Sequence, residues 1–128
     1  FIAAKCPSVT LCEGGQLAAM KWQKGGEIDM LWLVAGHLLG DFAFQSAWMV
    51  AGKGKSWEVN IYHALTYTAT VFVVVAVGGI ILPPWALCLL AGSHFVLDSL
   101  KARWELIKPI WLDQLLHLGV LIVIAFAI

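Results

Sequence analysis

From Met30 onward the chain is a succession of long apolar runs separated by short polar or proline-bearing breaks. A helix needs about 20 apolar residues to cross the hydrocarbon core of a bilayer. Four runs answer to that length. The first is expected from Met30 to about Ala51, closed by Gly52-Lys53-Gly54-Lys55. The second is expected from about Val59 to Leu82, before Pro83-Pro84, and the third from Trp85 to about Leu100, before Lys101 and Arg103. The fourth is expected from Pro109 to Ile128; proline suits the first turn of a helix, where its missing N–H costs nothing. No run alternates with the period of a strand. Helices and closed barrels are the structures that satisfy every backbone polar group in lipid. The pattern therefore predicts an all-α fold, an integral membrane bundle of four transmembrane helices over residues 30–128.

Residues 1–29 differ. They carry Pro7, Gly14, Gly15, Gly25 and Gly26, hold no sustained apolar run, and do not order a basic start, apolar core and small-residue exit as a signal peptide would. They are read as an N-terminal tail, disordered or foreign to the native protein, with Met30 standing where a compact membrane protein can begin.

Composition agrees with the pattern. Hydrophobic residues make up 61% of the 128, and charged residues 12%, against about 25% in soluble domains. Mean hydropathy is +0.85. A chain this short cannot bury so much apolar surface within itself. Intrinsic disorder is excluded, and an ordinary soluble enzyme is argued against. Eight basic and eight acidic residues cancel, which removes the electrostatic case for a nucleic-acid partner.

The placement of those charges says more than their sum. Lys53 and Lys55 fall in the loop 52–58, and Lys101, Arg103 and Lys108 in the loop 101–108, whereas the connection from Gly78 to Pro84 is uncharged. Basic loops mark the cytoplasmic side, so both are assigned there in a multi-pass protein. Lys5, Lys21 and Lys24 then lie on the opposite side, against the rule unless the tail is foreign. Trp48, Trp57, Trp104 and Trp111 bracket the basic loops, and Trp32 and Trp85 sit near the other ends, as interfacial aromatics do. The three cysteines, Cys6, Cys12 and Cys88, form no CxxC pair, and Cys88 is expected as a small buried hydrophobe.

Against this background a few polar residues stand out. All four histidines, His37, His63, His94 and His117, lie inside expected spans. Three have an aspartate four positions away: His37-x3-Asp41, His94-x3-Asp98 and Asp113-x3-His117. That spacing puts both side chains on one helical face. Counted from the basic loops, Asp98, His63 and Asp113 lie about one turn deep, His94, His117 and Asp41 about two, and His37 about three. All seven can meet in the cytoplasmic half of one bundle. Gln45, Thr66, Gln114 and Lys101 are the candidates for supporting them or contacting a substrate.

Each ionisable group costs about 2.5 kcal/mol or more inside a membrane, and three accounts of that cost compete. Imidazoles and carboxylates are the mixed ligands of Zn, Mn, Fe or Ni. On this account the seven residues bind a divalent transition metal and hydrolyse a phosphoester or lipid-linked substrate. Histidine–aspartate chains also serve proton or metal-ion translocation, which in so small a protomer requires a homo-oligomer. Finally, such pairs can simply tie helices together in a non-catalytic scaffold, at about 0.6 kcal/mol each. Other features read plainly. Gly36 and Gly40 form a GxxxG close-approach face, Ser93 is a packing hydroxyl, and Glu58 and Asn60 cap the second helix.

The stretches HLLGDFAFQSAWM (37–49), His63-Ala64, SHFVLDSLKAR (93–103) and LDQLLHL (112–118), in that order, resemble the bacterial membrane proteins grouped as domain of unknown function 3307. The resemblance covers residues 30–128 and implies a protein of the bacterial inner membrane in which these motifs matter; it implies no reaction. By residue type alone, the His/Asp motifs are also broadly similar to small membrane proteins described as metal-dependent hydrolases.

Overall fold

The computed structural model describes residues 30–128; the tail, with Cys6, Cys12 and its three lysines, lies outside the described residues. Among the described residues the fold is all-helical and holds no strand. Five helices follow in order: α1 (Met30–Ala43), α2 (Ala47–Gly52), α3 (Trp57–Val77), α4 (Pro84–Ala102) and α5 (Ile110–Ala127). Two of them, α3 and α5, are long and apolar enough to cross a membrane.

The first expected span is broken. Its helix widens into a π turn over Leu39–Ala43, where the Phe44 N–H donates to the Leu39 carbonyl at 2.9 Å. The Gln45 side-chain amide donates to the Asp41 carbonyl. Ser46 then turns extended and caps α2, its hydroxyl accepting from the Met49 N–H at 3.2 Å. A serine inside an apolar run is a weak stop signal, which is why hydropathy alone runs through it. The second span ends five residues early, at Val77 rather than Leu82. Gly79 adopts φ +84° there, a conformation that glycine takes at no steric cost. The Ile80 N–H closes on the Val75 carbonyl and that of Gly79 on Ala76, a Schellman stop. Pro83 is extended and Pro84 opens α4 at its first turn.

The interior has two halves. One is apolar: Leu33, Val71, Val75, Leu82, Ala86, Leu90, Leu121 and Ile124 form a contiguous buried cluster with Tyr67 at its edge. The other half holds the buried polar residues Asp41, His63, His94, Asp98, Asp113 and His117. Outward faces are apolar instead, with Val73, Val77, Ile81, Leu115, Val123 and Phe126 all exposed. Cys88 is on that outer surface, contrary to expectation. It falls two positions from each of Ala86 and Leu90, hence on the far side of α4 from the buried Ala86, Leu90, His94, Asp98 stripe.

The expected close-approach face packs α1 on α3. A Cβ on Gly36 would lie 3.0 Å from the Val71 backbone, and one on Gly40 3.0 Å from the Tyr67 ring. Gly36→Ala is expected to destabilise the protein by roughly 1–3 kcal/mol through overpacking, measured as a lowered unfolding midpoint in detergent. Asn60 does not cap α3. It is buried, and its amide donates to Ser99 Oγ at 2.8 Å and to the Phe95 carbonyl at 3.3 Å, clamping α3 to α4. Ser93 behaves as expected, donating to the Leu90 carbonyl in its own helix.

The two basic loops meet. A Cβ on Gly54 would strike the Ala102 carbonyl oxygen at 2.5 Å, and the Arg103 guanidinium stacks 4.0 Å over the Trp57 ring. Lys53 and Lys101 are thereby delivered to the same end of the bundle.

Candidate metal centre

Four helices deliver the polar side chains to one place. Asp41 comes from the π turn of α1, and its carboxylate is buried. His63 comes from the inward stripe of α3, which continues at four-residue intervals through Tyr67, Val71 and Val75. His94 and Asp98 come from the inward stripe of α4, and Asp113 and His117 from that of α5. The ring centroids run in a chain: His63 to His94 at 4.9 Å, His94 to His117 at 4.7 Å, His117 to His37 at 5.4 Å.

Two groups have ligand atoms mutually within 4.8 Å: Asp41, His63, His94 and Asp98, and then Asp98, Asp113 and His117. In the first, His63 Nε2 lies 3.0 Å from His94 Nε2, 3.5 Å from Asp41 Oδ1 and 3.1 Å from Asp98 Oδ2. His94 Nε2 lies 3.8 Å from Asp41 Oδ1 and 3.7 Å from Asp98 Oδ2. Metal–ligand bonds of about 2.0–2.2 Å in a tetrahedron put ligand atoms about 3.3–3.6 Å apart. The observed separations bracket that value. Carboxylate oxygens only accept, and two facing imidazole nitrogens can share one proton at most. Four converging lone-pair atoms therefore suit a cation at their centre.

An outer layer orients this set. Gln114 is its hub. Its amide N–H groups donate to Asp41 Oδ2 at 3.0 Å and to Asp113 Oδ2 at 3.3 Å. Its amide oxygen accepts from His37 Nε2 at 2.9 Å. That leaves His37 Nδ1 as an acceptor, and the Tyr67 hydroxyl donates to it at 3.0 Å. Tyr67 also stacks on His94, with centroids 3.8 Å apart. His117 donates from Nδ1 to the Asp113 carbonyl at 2.8 Å, which leaves Nε2 as its lone-pair atom. Two ammonium groups complete the site. Lys53 is buried and reaches Asp98 Oδ2 at 3.0 Å, and Lys101 pairs with Asp113 Oδ2.

Six of the seven expected ligands are thus brought together. His37 stands outside both groups, since both its ring nitrogens are engaged by Tyr67 and Gln114. Two of the three i, i+4 pairs stay in contact, His94 with Asp98 and His117 with Asp113, whereas Asp41 faces His63 and His94 rather than His37. Gln114 and Lys101 touch the cluster as supporting residues. Gln45 reaches only the backbone of Asp41. Thr66 does not join; with Thr70 it lines an outward groove beside Leu39, Phe44 and Val73. Sequence reasoning missed Lys53, Tyr67 and Asn60. Tyr67 was findable, as it lies one turn beyond His63. Lys53 was read only as an interface marker, although flanking glycines free its loop to fold back.

The class defined so far is an all-helical protein with a buried histidine–aspartate cluster that can geometrically hold a metal ion and with two helices apolar enough to span a membrane. Residues 30–128 match the family described as Protein of unknown function (DUF3307), and the chain belongs to that family. Neither curated proteins nor solved structures gave a match to this chain.

Proposed function

We propose that this chain is a four-span integral membrane protein that binds a divalent transition metal between Asp41, His63, His94 and Asp98. The observation that carries the reading is the set of separations of 3.0–3.8 Å among four buried donor atoms from three helices. The spans are α1 with α2, then α3, α4 and α5. Apolar outward faces over a polar interior support lipid as the surrounding solvent. Contact between the two basic loops supports their lying on one side, the cytoplasmic one by the positive-inside rule.

Protein purified in detergent is expected to retain zinc or another first-row divalent metal, read by elemental analysis. Asp41→Asn and His94→Gln are each expected to remove the ion held by this group, read as a lowered metal content, while leaving the helical circular-dichroism signal intact. Wild-type protein without metal, whose stability is indifferent to chelators, would overturn the reading and leave a scaffold of structural His–Asp contacts.

The reaction class we favour is hydrolysis of a phosphoester or lipid-linked substrate. A bound divalent ion supplies water that ionises near neutrality. Lys101, 29% exposed where it pairs with Asp113, gives the edge of the cluster a cation within reach of an anionic substrate. Proton translocation is less well served. The path from His37 to Asp41 runs through Gln114, whose amide does not take up and release protons at neutral pH.

A further inference from the structure

We infer that the centre takes a second divalent ion, held by Asp98, Asp113 and His117, and that the pair of ions binds a phosphate group. The inference rests on the first site being a metal site, because Asp98 belongs to both ligand groups. A carboxylate has two oxygens and can bridge two ions.

Two buried atoms carry the argument. His117 Nε2 has no hydrogen-bond partner, and neither has Asp113 Oδ1. Both residues are almost wholly buried, at 3% and 1% exposure. A buried acceptor is costly to leave without a partner, and here two such atoms lie on residues of one three-residue group. The ring of His117 is also set as a ligand's would be. Its Nδ1 is committed to the Asp113 carbonyl, the usual orienting contact of a metal-bound histidine, and the lone pair of Nε2 is unspent. On Asp113, the oxygen that pairs with Lys101 and Gln114 is Oδ2, so Oδ1 stays available.

The two groups differ in kind. The first offers four protein ligands. The second supplies three, the number that leaves a position for water or substrate. Charge then names the ligand class. Two divalent ions with Lys53 and Lys101 set six positive charges against the carboxylates of Asp41, Asp98 and Asp113. A buried surplus of that size calls for a multiply charged oxyanion, and phosphate provides oxygen donors as well as charge. Lys101, at the exposed edge, marks its approach.

Zinc titration of the detergent-solubilised wild-type protein, followed by dialysis and elemental analysis, is expected to give two ions per chain. His117→Gln is expected to lower this to one, leaving the Asp41 group loaded. Inorganic phosphate is expected to bind the loaded wild type at one per chain and to bind His117→Gln at least tenfold more weakly. One zinc per chain in both proteins would overturn the second site and leave the first standing. Zinc absent from the wild type would overturn the first site itself. Two ions without a phosphate preference for the wild type would overturn the ligand assignment.

Discussion

Asp98→Ala is expected to strip the protein of bound metal and to destabilise it by about 3–5 kcal/mol, the loss typical of a buried ion pair left with one partner. Both effects follow from its position. Asp98 is the residue common to the two ligand groups, so no site survives its loss intact. It is also the carboxylate that pairs with Lys53, whose ammonium is buried at the end of a glycine-flanked loop. Removing the acid leaves that charge without a partner in an apolar setting. The double variant Asp98→Ala with Lys53→Met separates the two effects. It is expected to recover most of the stability and none of the metal. Unfolding midpoints and metal content, measured on the same preparations, decide the matter. Metal retained by Asp98→Ala would show that Asp98 is not a ligand.

Gln114→Leu is expected to weaken metal binding by about 10- to 100-fold, as loss of a contact that orients a ligand does. Leucine keeps the bulk and removes every hydrogen bond. Asp41 Oδ2, Asp113 Oδ2 and His37 Nε2 each lose a partner at once. Each group left unpaired costs about 1–3 kcal/mol, offset in part where Lys101 still serves Asp113. Competition against a chelator of known affinity measures the first effect, and the unfolding midpoint the second. Wild-type zinc affinity in Gln114→Leu would mean that the amide hub does not position the ligands.

Much of this was legible in the order of residues. The His–Asp spacings named five of the six residues that the fold brings together, Asp41, His94, Asp98, Asp113 and His117, because i, i+4 periodicity survives in α4 and α5, and His63 stood out as a histidine inside an apolar run. The seventh, His37, was lost to the same logic. The π turn after it rotates Asp41 toward α3 and α4, so the two no longer act as a pair. A widened turn has no reliable signature in hydropathy, and Ser46 alone hints at the break that follows. Partner choice was also hidden. Spacing says which residues share a face, but the face opposite belongs to another helix. Thus Lys101 meets Asp113 rather than Asp98, and Asn60 meets Ser99 rather than its own helix end.

The divided interior has a consequence for access. At the end away from the basic loops, Leu33, Val75, Leu82, Ala86 and Ile124 fill the bundle with side chains that no hydrated ion can pass at reasonable cost. In a bilayer that half would act as an electrical seal. The cluster would then equilibrate with one compartment alone, and its occupancy would follow the metal and anion levels of that side whatever the composition of the other.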